Sequence, residues 1–130
     1  MVGVLLYSPE DLKDFEGSDP VARAAKLITK VYEQSAGQPL ADTTLVPFES
    51  TRPGVKRSTT SWRATIRERP VLMKASKVLV EIAPGWVAQI TVQGTLDDDG
   101  LTRRVLETLS TTSEPECYWQ FIRQHFPEMR

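Results

Sequence analysis

Apolar positions along the chain switch between two periods. From Val21 to Tyr32 they fall at Val21, Ala24, Ala25, Ile28, Val31 and Tyr32, the spacing of one helical stripe. Arg23, Lys26, Lys30 and Glu33 lie mostly off that stripe. Ser18-Asp19-Pro20 supplies the start signal and Gly37 the stop. A shorter helix is predicted after Ser8-Pro9-Glu10-Asp11, with Leu12 and Phe15 as its apolar contacts and Gly17 at its end. Val2 to Leu6, ahead of it, fits either a strand or an apolar arm lying on the core.

After Pro39 the period shortens to two. Thr43 to Phe48 is rich in β-branched and aromatic residues and is predicted as a strand. Thr51 to Ser58, with Pro53 and Gly54, reads as a loop. Thr59 to Glu68 alternates, with Thr60, Trp62, Ala64 and Ile66 on one face and Ser61, Arg63, Thr65 and Arg67 on the other. Pro70 is expected to interrupt the strand, and Val71 to Ser76 has no clear period. Lys77 to Ile82 alternates again, with Val78, Val80 and Ile82 together. Ala83-Pro84-Gly85-Trp86 is a type II turn signature, and Trp86 to Gly94 is the returning strand.

The helical period then returns. Leu96 to Gly100 is an acidic turn opening a helix whose stripe is Leu101, Val105, Leu106 and Leu109. Ser113 and Glu116 form a capping box ahead of a last helix carrying Tyr118, Trp119, Phe121, Ile122 and Phe126. Strands bracketed by helices, without alternation, predict a single α+β domain over residues 1–130. Its expected form is an antiparallel β-meander of three to four strands, with the N-terminal and C-terminal helices packed on one face. This order is similar to that of cystatin-like and type III secretion chaperone-like domains. The resemblance is architectural alone, since Gln89-Ile90-Thr91-Val92-Gln93-Gly94 does not match the cystatin Gln-x-Val-x-Gly motif.

Composition adds bounds. With 130 residues, 40% of them hydrophobic and 25% charged, the chain can bury a core without disulfides or metal. Cys117 is the single cysteine, so no intrachain disulfide forms. No run reaches the ~18 apolar residues that a membrane helix requires, and the N-terminus lacks a basic leader. These features predict a cytoplasmic protein without a membrane partner.

Charge is unevenly placed. Arg52, Lys56, Arg57, Arg63, Arg67, Arg69, Lys74 and Lys77 face only Glu68 within residues 52–77, a formal +7. The whole chain carries −1, so the remainder carries −8. Arg63 and Arg67, read as one strand face, make with Arg52, Lys56 and Arg57 a candidate contact for phosphates or an acidic partner. A solvated face that guards a sheet edge is the plainer reading. Trp62 falls on the opposite face, so no stacking platform for bases is evident.

Other chemistry is thin. Asp97-Asp98-Asp99-Gly100 fails the calcium-loop spacing, because Thr95 and Leu106 would occupy the first and twelfth positions. Cys117 and His125 lie eight residues apart, roughly 12 Å along a helix, too far for a dyad. Lys56-Arg57-Ser58-Thr59-Thr60 resembles a basophilic kinase site. No catalytic residue, metal site or cofactor is predicted.

The aromatic last helix covers more than one face, which marks Tyr118, Trp119 and Phe121 as candidate partner-binding residues. The leading functional expectation is therefore a non-enzymatic interaction module, adaptor-, chaperone- or inhibitor-like, that binds a protein partner or itself. The alternatives are nucleic-acid binding through the basic face and loop of residues 52–77, and a small-ligand or enzymatic pocket between sheet and helices.

Overall fold

The computed structural model describes residues 2–36 and 42–109. Eight elements follow in order: β1 (Val2–Tyr7), α1 (Pro9–Leu12), α2 (Pro20–Ala36), β2 (Asp42–Pro47), β3 (Lys56–Ile66), β4 (Arg69–Ala83), β5 (Trp86–Val92) and α3 (Asp98–Thr108). The strands form one antiparallel sheet of order β1-β5-β4-β3-β2. The fold is α+β, as the periodicity implies, with five strands where three to four were expected. The fifth is β1: Val2 to Tyr7 pairs along its full length with Val92 to Val87, so this run is a strand and not a loose arm.

The local signals act where they were read. Ser8 Oγ accepts from the Asp11 amide while the Asp11 carboxylate accepts from the Ser8 amide, which closes a capping box on α1. Asp97 caps α3 by accepting from the Gly100 amide at 2.9 Å. Pro84 and Gly85 turn β4 into β5, and Gly85 has φ +79°, the value a type II turn needs at its third residue.

The helices are not confined to one face. Side chains alternate along a strand, and here both phases are buried. Val78, Val80 and Ile82 of β4 join Ala88 and Ile90 of β5, Val4 of β1, and Val105, Leu106 and Leu109 under α3. Leu79 of β4 and Val87 of β5 point the other way, against Val21, Ala24, Ala25 and Ile28 of α2 and Leu12 of α1. Thus α1 and α2 cover one face and α3 the other. Reading β4 for a single apolar phase overlooks Leu79, which is 0% exposed.

Two further expectations need correction. Lys56 to Ser58 belongs to β3 and not to the preceding loop. Pro70 does not break the strand, because β4 runs unbroken from Arg69 to Ala83. A two-residue turn closes on the pair Ile66–Arg69, so the next pair, Thr65–Pro70, belongs to the alternate, non-hydrogen-bonded class. A proline there gives up no bond to β3.

Because Leu79 sits wholly within the α2-side core, Leu79→Ala should destabilise the fold by about 2–5 kcal/mol in urea unfolding. A loss below about 1 kcal/mol would mean that α2 contributes little to a common core.

Candidate interaction surface

β3 and β4 are much longer than their neighbours. Among the described residues β2 follows β3 as far as the pair Asp42–Ser61, and β5 follows β4 as far as Val78–Ile90. Beyond these points Trp62–Ile66 and Arg69–Met73 pair only with each other among the described residues. Among the described residues the result is a two-stranded arm extending roughly 15 Å past the other strands, at about 3.3 Å per residue.

The arm is amphipathic because its register inherits the alternation of both strands. Trp62 faces Met73 and Ala64 faces Val71, and Ile66 lies on the same side at the end of the arm, opposite Arg69. The other side carries Arg63 opposite Leu72 and Thr65 opposite Pro70, with the pair Ser61–Lys74 at its base. Ile66, Val71 and Leu72 are 47%, 37% and 58% exposed. Large apolar side chains gathered on an unsupported ribbon are far more unusual than the same residues scattered singly.

A free two-stranded ribbon is marginal in water. This one is braced at its root, where Trp62 stacks on Tyr32 of α2 with ring centroids 5.4 Å apart and planes inclined at 29°. At the tip Arg67 and Glu68 both have positive φ, 51° and 64°. Such a pair of left-handed residues forms a primed turn that matches strand twist, normally built from Asn and Gly.

The basic segment divides into two groups. Arg57 and Arg52 hold α3 on the sheet. Arg57 Nη2 donates to Asp99 at 2.6 Å, and its guanidinium lies 5.1 Å from the Phe48 ring centre. Arg103 of α3 covers the same ring at 5.4 Å and donates to the Glu49 carbonyl. Arg52 donates to the Leu109 carbonyl at the far end of α3. Lys56 starts β3 on the α2 side, and Lys77 donates to Thr91. Only Arg63, Arg67, Arg69 and Lys74 belong to the arm or its base. Arg67 lies in the turn rather than beside Arg63 on a strand face, because β3 ends at Ile66.

Other sequence candidates also find their places. Ser58 and Thr60 are 1% exposed within β3, which removes them from any accessible kinase site. The Asp97–Asp99 run is a helix opening: Asp98 accepts from the Thr95 hydroxyl at 2.6 Å and amide at 2.9 Å, and these bonds hold its carboxyl below the usual range. No group of three or more potential metal ligands occurs among the described residues. A groove of about 580 Å³ runs between α2 and β2, lined by Ala22, Ala25, Thr29, Thr43 and Leu45. Tyr118, Trp119, Phe121, Cys117 and His125 lie outside the described residues.

Among the described residues no helix is long and apolar enough to cross a membrane. No protein-family model, curated protein or solved structure matches the chain.

Sequence reading missed the arm because each strand was bounded separately. The signal was a difference in length: the β3–β4 pairing outruns the strands on either side.

Two measurements follow. Asn-Gly in place of Arg67-Glu68 should stabilise the protein by about 0.5–1 kcal/mol, the relief of left-handed strain less the entropy cost of glycine. Destabilisation on chemical denaturation would show that the arginine and glutamate side chains hold the tip. Tyr7 donates to Gln89 at 2.6 Å, and burial, more than its neighbours Tyr32 and Asp11, pushes its phenol up to about 12. A group raised in the folded state favours folding below its unfolded value near 10, and that contribution is lost as pH climbs from about 10 to about 12. Ultraviolet titration should show a late-titrating phenol that disappears in Tyr7→Phe.

Proposed function

We propose that this protein is a non-enzymatic protein-interaction module, adaptor-, chaperone- or inhibitor-like, that contacts a protein partner through the β3–β4 arm. One observation carries this reading: the apolar side of the arm, Trp62, Ala64, Ile66, Val71 and Met73, stands beyond the sheet with exposed residues at its end. Burial of apolar area stabilises association at ~25 cal/mol per Å² before ordering costs. The Arg69–Met73 strand, which β5 does not reach, also offers a place for strand addition, in which main-chain hydrogen bonds give affinity and alternate side chains give selectivity. The Tyr32–Trp62 stack limits the ordering cost by fixing the root.

The nucleic-acid reading keeps one supporting observation. Arg63, Arg67, Arg69 and Lys74 against Glu68 give the arm and its base a formal +3, that is four less one. Phosphate contacts made this way weaken steeply with salt. The apolar side favours the protein reading, since a phosphate-binding ribbon has no use for Ile66 and Val71.

A photo-crosslinking residue placed at Ile66 or Val71 tests both. Cross-linking in cell extract should yield protein adducts at these positions well above those from an exposed control at Lys13. Val71→Asp should reduce the Ile66 adducts at least tenfold. Adducts no more frequent than at Lys13 would refute the reading. Adducts removed by nuclease, with oligonucleotide binding that falls sharply between about 50 and about 200 mM salt, would replace it with the nucleic-acid one.

A further inference from the structure

The two edges of the sheet differ. The β2 edge ends in Pro47, which discourages strand addition. The β1 edge is Val-Gly-Val-Leu-Leu-Tyr, with no charge and no proline, and it pairs with β5 through six successive residues without a bulge. Among the described residues no strand lies on its outer side. Natural sheets rarely leave such an edge open.

We infer that β1 is a homodimer interface, where β1 of a second copy pairs antiparallel about a two-fold axis through Val4. A dyad normal to the sheet makes the two copies of the strand antiparallel, so the contact is self-complementary and closed. Residues directly opposite must share a face, which restricts the register to one residue phase. Centred on Val4, the register sets Leu5 against Gly3 of the second copy and Val2 against Leu6.

The side chains favour this register. Leu5 is 47% exposed, on the α2 side. A Cβ built on Gly3 meets nothing within 4 Å, so the space beside it is open to receive that leucine. On the α3 side Val2 and Leu6 are half-buried against the core, and each would complete the other's burial. A centre at Leu5 would stack leucine on leucine and leave Gly3 facing Tyr7. The absence of charge on β1 removes any like-charge repulsion at the dyad. Pairing yields a ten-stranded sheet whose remaining edges are both β2, the guarded kind. The interface uses no residue of the arm, so it stands or falls separately from the arm's role.

Sedimentation velocity of the full chain, from about 1 to about 200 μM, spans the affinities expected of a small interface. The expected result is a concentration-dependent rise to twice the 14.6 kDa chain mass. Leu5→Lys should weaken the dimer at least tenfold with the circular dichroism spectrum unchanged, because Leu5 is already exposed. Gly3→Ile should do the same by filling the space that receives Leu5, though the single chain has room for the added side chain. Val46→Lys, on the β2 edge, should leave the dimer intact. A monomer at every concentration overturns the inference. So does a dimer indifferent to both β1 substitutions, or assembly that continues past two copies.

Discussion

Burial of β4 on both faces is the constraint from which the rest of the architecture follows. A strand with one wet face needs a single covering layer. In β4 successive residues, Val78, Leu79 and Val80, are all buried, so neither face can be left to solvent. Val87 and Ala88 of β5 repeat the demand. The helices that meet it come from opposite ends of the described chain, α2 before the meander and α3 after it. Neither core is complete without the strand that both share. The apolar groups that stabilise α2 and α3 are thus adjacent in sequence but separated by the thickness of a sheet.

Where strands are covered on both sides, hydroxyls and short side chains fill what branched residues leave. Ser58 and Thr60 are buried on the α2 side of β3, between the side chains of β2 and β4. In the sequence Ser58 reads as the end of a loop and Thr60 as part of the strand that follows. The fold divides the basic run. A charge count treats Arg52 to Lys77 as one patch, whereas the fold assigns Arg52 and Arg57 to the seam between α3 and the sheet. Phe48 is the centre of that seam, with Arg57 and Arg103 over its ring. Of the rest of the basic run, Arg63, Arg67, Arg69 and Lys74 are spread from the base of the arm to its tip, and Lys56 and Lys77 lie within the sheet.

Features set by a few adjacent residues were legible in the sequence. The cap at Ser8, the opening of α3 at Asp97 and the turn at Pro84-Gly85 each depend on local hydrogen bonding or on one permitted φ, and each appears as read. The stripe of α2 was legible too, apart from Val31, which is 52% exposed despite its spacing. Features that depend on which strand lies beside which were not legible. Pro70 looks like a breaker until its pairing class is known, and Leu79 looks like a wet position until a second layer covers it. The arm is defined wholly by where its neighbours stop, a property of four strands and not of the two that form it.

The place of β1 in the sheet has a consequence for how the chain is made. Val2 pairs with Val92, and Tyr7 with Val87, across the largest sequence separations in the sheet. The β3–β4–β5 meander needs only neighbouring contacts, so it closes its turns quickly, while β1 must wait for a loop of some eighty residues to close. On the ribosome the order is starker, because β1 is translated some eighty residues ahead of its partner β5. At ~5–20 residues per second, an uncharged apolar strand passes several seconds of synthesis with nothing to pair with. The N-terminal helices α1 and α2 follow immediately behind it, and their early formation is the nearest shelter the growing chain provides.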